Sequence, residues 1–383
     1  MEALMAVASG LSVAGIYYAQ PLLEDIRQSL DLTLTHAGWV FTAAQLGYAL
    51  GLFLLVPLGD LYERRGLVVS MCLGTSAALV AAAMAKSAWV FFCATLVVGA
   101  LSAVAQVVVA FAATLASPER RGRVVGTVMS GLLLGILCAR TVSGYVGQLG
   151  GWRLVFWLAS LAMLCLAIAL RLCLPRSKGN GTMRYAGLLV SIGALLKEEP
   201  LLRLRCLLGA LGFCIFSIFW TPLALLLSHP PFNYSTGTIG LFGLVGAAGA
   251  MAASLAGRMA DRGRAQTMTG LATALLTLSW LFIWLGGVSV WVLILGVIAL
   301  DLAVQGLQIT NQSEIYRIRP EAGSRITAAY MTLYFLGGVG GSALSSVVFA
   351  WFGWNGVCLF GALAGLFAFC VWAASRRPQN RPQ

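Results

Sequence analysis

The chain has 383 residues, of which 60% are hydrophobic and only 10% charged, with a formal net charge of +12. Soluble domains carry about 25% charged residues, so this composition excludes a soluble globular protein. The mean hydropathy of +0.89 instead calls for many membrane-spanning helices, which close their own backbone hydrogen bonds in lipid.

A crossing helix needs about 20 apolar residues. Twelve segments meet that need, near 3–23, 36–58, 66–86, 89–115, 124–147, 152–173, 203–227, 236–257, 267–286, 289–312, 325–350 and 355–375. The first begins close to Met1 without a basic flank, as a retained span does and a cleaved signal peptide does not. Basic loops stay in the cytoplasm. With an inside amino terminus, 21 of the 25 Lys and Arg residues fall on inner loops and the tail, while Arg27, Lys86 and Arg153 fall outside. Both termini are therefore expected in the cytoplasm. The net charge then faces an anionic inner leaflet and requires no nucleic acid.

The first span carries Tyr17, Gln20 and Glu24 at i, i+3 and i+7, which on one helix makes a polar face. The fourth carries Thr95, Ser102 and Gln106. The fifth repeats small residues at every fourth place, Gly131, Gly135, Ala139, Ser143 and Gly147, a face that lets another helix approach closely. The eighth has a comparable row at Gly249, Ala253 and Gly257.

Arg140 is the one basic residue within a span. Placing a guanidinium in hydrocarbon costs at least about 2.5 kcal/mol, and its depth, roughly 24 Å along the helix from Val124, lies on the outer side of the membrane centre. It needs an anion: Asp301 first, an acidic substrate second, Glu24 or Asp25 third.

Residues 175–202 form a basic polar linker whose "YAGLLVSIGALL" is expected to lie as a short interfacial helix. Beyond it, Phe213, Phe216 and Trp220 share one side of the seventh span, a spacing that serves packing as readily as binding. Pro21 and Pro222 mark possible bends. The tenth span holds Asp301 near its centre, followed by Gln305, Gln308 and Gln312 on one stripe. Ionisable residues in spans mark pathways or proton relays, which makes Asp301 the candidate proton carrier.

The nine cysteines avoid the outer loops, so packing rather than disulfide formation is expected. The two histidines sit at outer span ends, leaving no imidazole for a metal inside the membrane, and no cofactor is called for.

A shift of 202 residues superimposes the halves: Pro118 on Pro320, Glu119 on Glu321, Gln106 on Gln308, Gly135 on Gly337, Gly151 on Gly353 and Trp152 on Trp354. The domains read as 1–174, the linker 175–202, and 203–383. Two six-helix halves in one orientation imply a site between them and alternating access.

The loop "GDLYERRG", with Gly59, Glu63, Arg64 and Gly66, and its counterpart "GRMADRGR", with Gly257, Asp261 and Arg262, resemble the G-x-x-x-D-R-x-G loop of the major facilitator superfamily. The resemblance covers essentially the whole chain and implies the all-α fold of twelve transmembrane helices in two pseudo-symmetric halves. In that family these loop charges bridge to neighbouring spans and gate the inner side, and the resemblance also implies that the fifth and eighth spans pack together across the interface of the halves. The stretches "YYAQPLLEDI", "GILCARTVSG" and "NQSEIYRIRP" resemble a prokaryotic branch of efflux permeases, which places the protein in a bacterial inner membrane. Three positions depart from the pattern. Glu63 replaces aspartate, Leu67 stands where a basic residue is usual, and Thr95 stands where many proton-linked relatives have arginine. The antiporter pattern of the fifth span is kept at Gly131 and Gly135, with Ile136 in place of proline and Arg140 in place of the last glycine.

The reading is a secondary transporter, monomeric, exporting a small organic solute in exchange for protons. A facilitator or importer of the same fold is the alternative. A membrane enzyme is disfavoured by the lack of paired carboxylates or histidines in the spans, a sensor by the lack of a signalling domain, and an ATP-driven pump by the lack of a phosphate-binding G-x-x-x-x-G-K-[ST] loop.

Overall fold

The computed structural model describes residues 1–117, 120–177, 185–252, 264–319 and 323–375, and all regular structure among them is helical. Eight of these helices are long and apolar enough to cross a membrane. Two of the eight, Gly122–Cys173 and Arg325–Ser375, fold back at glycines, and two shorter apolar helices complete the twelve.

The elements are α1 (Glu2–Ala14), α2 (Leu23–Ser29), α3 (Leu34–Ala37), α4 (Trp39–Leu54), α5 (Leu58–Leu61), α6 (Arg64–Ala83), α7 (Ala88–Ser102), α8 (Val104–Leu115) and α9 (Arg121–Cys173). They continue as α10 (Tyr185–Glu198), α11 (Pro200–Trp220), α12 (Leu223–Leu227), α13 (Thr236–Ala252), α14 (Ala265–Leu285), α15 (Val290–Ile315) and α16 (Gly323–Ser375). The linker thus contains the expected short helix, α10, whose Tyr185 hydroxyl donates to the Leu54 carbonyl at 2.8 Å.

The chain forms two compact units, Met1–Ala194 with Trp220–Leu244, and Leu195–Phe219 with Val245–Gln383. The end of the seventh span from Trp220 and the start of the eighth are thereby grouped with the first unit.

Both hairpins inside the long helices turn at a glycine with positive φ, Gly151 (φ 77°) and Gly353 (φ 61°). With ψ of 165° and −159°, they occupy a region essentially closed to residues with a Cβ. This explains the repeated Gly-Trp pair. In the first unit Trp152 packs edge-on against Phe91 at 5.2 Å and Phe156 at 5.9 Å. In the second, Trp354 donates its indole N–H to the Ile283 carbonyl at 3.2 Å and packs on Phe219.

The glycine row of the fifth span makes the close contact expected of it, but mostly with a different partner. A Cβ on Gly131 would run into the backbone of Ala6, and one on Gly135 into the backbone of Gly10, so the inner part of the row faces α1. Gly147 faces the Leu22 side chain. Contact with the eighth span comes from Gly144, which meets the Thr236 carbonyl and Gly240. Helical spacing identifies the bare face, while the choice of neighbour follows from tertiary packing. Gly249 lies near the end of α13, where its surroundings fall outside the described residues, as do Ala253 and Gly257 altogether.

Gly135→Leu is accordingly expected to separate α1 from α9 and lower stability by about 1–3 kcal/mol or more. Gly126→Leu, on the same helix but facing open space, is the matched control. Thermal unfolding of the two purified proteins in detergent checks this, and equal midpoints would contradict the packing.

Candidate functional site

Proline has no N–H to donate and its ring clashes with the carbonyl four residues back, so a helix approaching one must end or bend. In the first span α1 stops at Ala14, and the chain passes through tight turns (Ile16 N–H to Val13 O, Tyr17 N–H to Ala14 O, Gln20 N–H to Tyr17 O) before Pro21. α2 then begins at Leu23. Tyr17, Gln20 and Glu24 therefore do not share one continuous helix face. The seventh span breaks in the same way, between α11 and α12 at Thr221–Pro222.

These breaks bring four sequence-predicted residues together in the first unit. Arg140, 4% exposed, donates its Nε–H to the Gln20 carbonyl oxygen. The guanidinium lies over the Trp220 ring at 4.1 Å and the Tyr17 ring at 4.8 Å from the centroids. Cation–π contacts of this kind are worth about 2 kcal/mol or more when desolvated. Two glycines absent from the sequence-based site make room. A Cβ on Gly243 would sit 2.9 Å from the Arg140 Cβ, and one on Gly240 would sit 2.6 Å from the Arg140 carbonyl oxygen. The Thr141 hydroxyl donates to the Gly240 carbonyl at 3.0 Å, fastening α9 to the start of α13.

In the fourth span the helix is interrupted at Ala103, between α7 and α8. Thr95 and Ser102 are buried and donate to carbonyls of their own helix, those of Phe91 and Val98. Gln106 is hydrogen-bonded to Tyr48 within the unit.

The second unit gathers a different set. Asp301 is buried in α15. On the same helix, the Gln308 carbonyl oxygen accepts from the Tyr334 hydroxyl at 3.1 Å, and Gln305 is half-buried. Phe213 stacks on Phe216 at 5.2 Å and on Tyr334 at 4.3 Å. Of the three aromatic residues read on one side of the seventh span, Phe213 and Phe216 thus belong to this cluster, whereas Trp220 belongs with Arg140.

Sequence reasoning missed one polar network here. Arg205, counted as an inner-loop charge, is 3% exposed inside α11. It donates to Thr269 Oγ1 at 2.8 Å, Asn311 Oδ1 at 3.3 Å and Glu314 Oε2 at 3.4 Å. The available signal was the pairing of an arginine in the first turns of one span with Asn311 and Glu314 in the last turns of another. A buried charge needs such partners.

Comparison with known proteins decides what kind of molecule this is. The Major Facilitator Superfamily profile matches residues 5–340. The chain belongs to the major facilitator superfamily. The transporter is 53% identical over 369 residues to the uncharacterized transporter YgaY of Escherichia coli O157:H7, covering 96% of this chain and 94% of that one. It is 23% identical to a protein of Pasteurella multocida named as a probable sugar efflux transporter, covering 92% and 86%. Its fold matches the crystal structure of a bacterial homolog of the human lysosomal transporter Spinster with a TM-score of 0.79 at 13% identity, covering 97% of this chain and 94% of that one. The protein is a membrane-embedded transporter, and its relatives are transporters rather than enzymes.

In this transporter the loop "GDLYERRG" ties together helix ends of the first unit. Arg64 donates to the Gly59 carbonyl and to Thr114 Oγ1, both at 2.9 Å, reaching the end of the fourth span. Arg65 donates to the Leu174 carbonyl at 3.1 Å, at the end of the sixth. Glu63 caps α6 by accepting from the Gly66 N–H at 2.8 Å and lies 3.8 Å from Arg65. Gly66 has its functional reason in that bond, since a Cβ there would sit 2.8 Å from the capping oxygen. The counterpart residues Gly257, Asp261 and Arg262 lie outside the described residues.

Glu24, third choice as a partner for Arg140, is engaged elsewhere. It accepts from Arg27 Nη2 at 2.6 Å, Arg27 Nε at 2.8 Å and Gln28 Nε2 at 2.7 Å. Burial pulls this carboxyl upward, but the hydrogen bonds from Arg27 and Gln28 and the Arg27 charge outweigh it and hold the pKa below its ordinary value. A depressed folded pKa contributes stability that is present above the unfolded carboxylate range and is lost as pH falls through the folded value. Glu24→Gln is expected to lower stability near neutral pH by about 1 kcal/mol and to converge with the parent protein in acid. Thermal unfolding from neutral pH down into the carboxylate range checks this, and a constant difference at all pH values would contradict it.

Proposed function

We propose that this transporter exports a small amphipathic organic solute from a bacterial cell in exchange for protons. The observation that carries the reading is Asp301: a carboxylate buried in the tenth span, in the unit that also holds Phe216, Gln305 and Gln308. Ionisable groups held in a spanning helix are costly and mark ion or proton paths. Asp301 carries the coupling proton. Arg140, with Tyr17, Gln20 and Trp220, recognises the solute and supplies the fixed charge against which the proton is exchanged, and Gln106 contributes a further amide. Gly59, Glu63 and Arg64, with Gly257, Asp261 and Arg262, gate the inner side, while Gly131, Gly135, Gly147 and Gly249 permit close helix packing.

The outward direction is supported by the likeness of three sequence stretches to efflux permeases and by the efflux relative of Pasteurella multocida. The preponderance of basic residues on alternate loops supports termini in the cytoplasm and residence in the inner membrane. The monomer is taken as the working unit, since each chain supplies both six-helix halves.

Asp301→Asn is expected to abolish solute accumulation driven by a pH gradient in proteoliposomes while sparing gradient-free exchange. Unchanged pH-driven transport by the folded variant would remove Asp301 from coupling. Accumulation that reverses with the imposed gradient separates exchange for protons from facilitated diffusion.

A further inference from the structure

We propose that the second unit carries a phospholipid site in which the Asn355 amide holds an ester carbonyl of the lipid and the surrounding rings hold the start of its acyl chain. The site is a cavity of about 440 Å³ walled by Trp284, Leu285, Val288, Phe352 and Trp354, with Asn355 among its lining residues. It lies wholly within the second unit and shares no residue with the groups assigned above to the solute. Its volume falls within the range of small-molecule sites, about 300–1,000 Å³.

The depth of the cavity in the membrane follows from where the spans end. Leu285 closes α14, α15 begins at Val290 and α16 folds back at Gly353, so the cavity sits at the shared end of helices long and apolar enough to cross. A bilayer places its glycerol esters at that level, and membrane proteins meet them there with tryptophan. Trp284, Trp291 and Trp351 are each more than half exposed at this end. No Lys, Arg, Asp or Glu occurs in 265–300 or 326–375, so these hairpins offer no partner for a headgroup charge.

The hydrogen bonds in the walls leave one side-chain group free to bind. Trp354 gives its indole N–H to the Ile283 carbonyl at 3.2 Å, and Trp284 gives its own to Asn355 Oδ1 at 3.0 Å. The second bond settles which end of the Asn355 amide is which. Its NH₂, a donor with no acceptor capacity, is left without a hydrogen bond among the described residues. An uncharged donor beside ring faces suits a neutral acceptor joined to hydrocarbon, which an acyl ester is. A phosphate would call for a cation.

The 202-residue offset shows what the first unit has in this place. Asn355 falls on Arg153, Trp354 on Trp152, Gly287 on Ala85, Trp284 on Ala82 and Phe352 on Gly150. Arg153 reaches across to the facing hairpin: its guanidinium lies over the Trp152 ring at 4.1 Å and donates to the Ala85 carbonyl at 3.1 Å and to Ser29 Oγ at 2.9 Å. In the second unit that long side chain is cut back to an amide, and two rings stand where the first unit has alanine and glycine. The exchange replaces an internal strap with a walled space and an open donor.

The test is photo-crosslinking of the full chain in nanodiscs of ether-linked phosphatidylcholine, doped with a phosphatidylcholine that carries a diazirine at the head of one chain. That chain is joined by an ester or, in a matched probe, by an ether, and labels are mapped by peptide mass spectrometry. The ester probe is expected to label 284–288 and 351–356 about fivefold more than the ether probe, the worth of one neutral hydrogen bond. A phosphatidylglycerol ester probe should label them equally well. Asn355→Leu should erase the ester preference. Asn355→Arg, which restores the first unit's arrangement, should suppress labelling of both segments while other span ends keep theirs. Equal labelling by ester and ether probes, a preference for one headgroup, or unchanged labelling in folded Asn355→Arg would each overturn the inference, and the first two need no variant. Loss of label on adding free indole, with other span ends still labelled, would assign the cavity to a small aromatic solute and overturn it as well.

Discussion

The structure is organised around a permanent positive charge placed where lipid would otherwise be. Arg140 cannot be neutralised by losing its proton, so the fold must surround it with groups that replace water. It does so with an amide oxygen and two ring faces drawn from two other segments, the broken end of the first span and the break in the seventh. Tyr17 and Gln20 lie in the turns just before Pro21, and Trp220 ends α11 just before Pro222. The two proline breaks are therefore part of how the charge is tolerated, and the glycines at 240 and 243 are the other part, because a side chain there would occupy the space of the arginine stem.

The same economy of space governs the helices elsewhere. In the first unit, Cβ atoms on Gly47 and Gly51 would enter the backbone of Leu96 and Ala100, and Gly131 and Gly135 stand in the same relation to Ala6 and Gly10. In the second, Gly337 and Gly341 press on Ala210 and Cys214. Gly135 and Gly337 are repeat mates, each packing its span against the first span of its own copy of the repeat. Lipid supplies little hydrophobic drive for helices to associate, so close van der Waals contact has to do it. Duplication has preserved that contact, as it has the Gly-Trp hairpins, while the charged groups of the two units diverged: Arg140 with Gln20 in one, Arg205 with Asn311 and Glu314 in the other.

Much of this was legible in the sequence for definite physical reasons. Apolar run length marks the spans, the 202-residue offset exposes the repeat, and a lone arginine in an apolar helix points to the cluster around Arg140. What was not legible concerns partners. A four-residue spacing says that a helix has a bare face but not which helix will fill it, so α1 was missed as the partner of Gly131 and Gly135. Assuming an unbroken first span put Glu24 beside Gln20, whereas the turn before Pro21 sends Gln20 to Arg140 and leaves Glu24 to Arg27. Arg205, three residues into the seventh span and next to other basic residues, reads as a loop charge from sequence alone. Its burial depends on Thr269, Asn311 and Glu314, separated from it by 64 to 109 residues of chain.

The central claim, that Arg140 is held in place by the face of a ring from the seventh span, is tested most directly by a double-mutant cycle of Arg140→Met and Trp220→Leu, read by reversible unfolding in detergent. The account predicts that the two losses fail to add, with a coupling of about 1–2 kcal/mol. Strict additivity would contradict it.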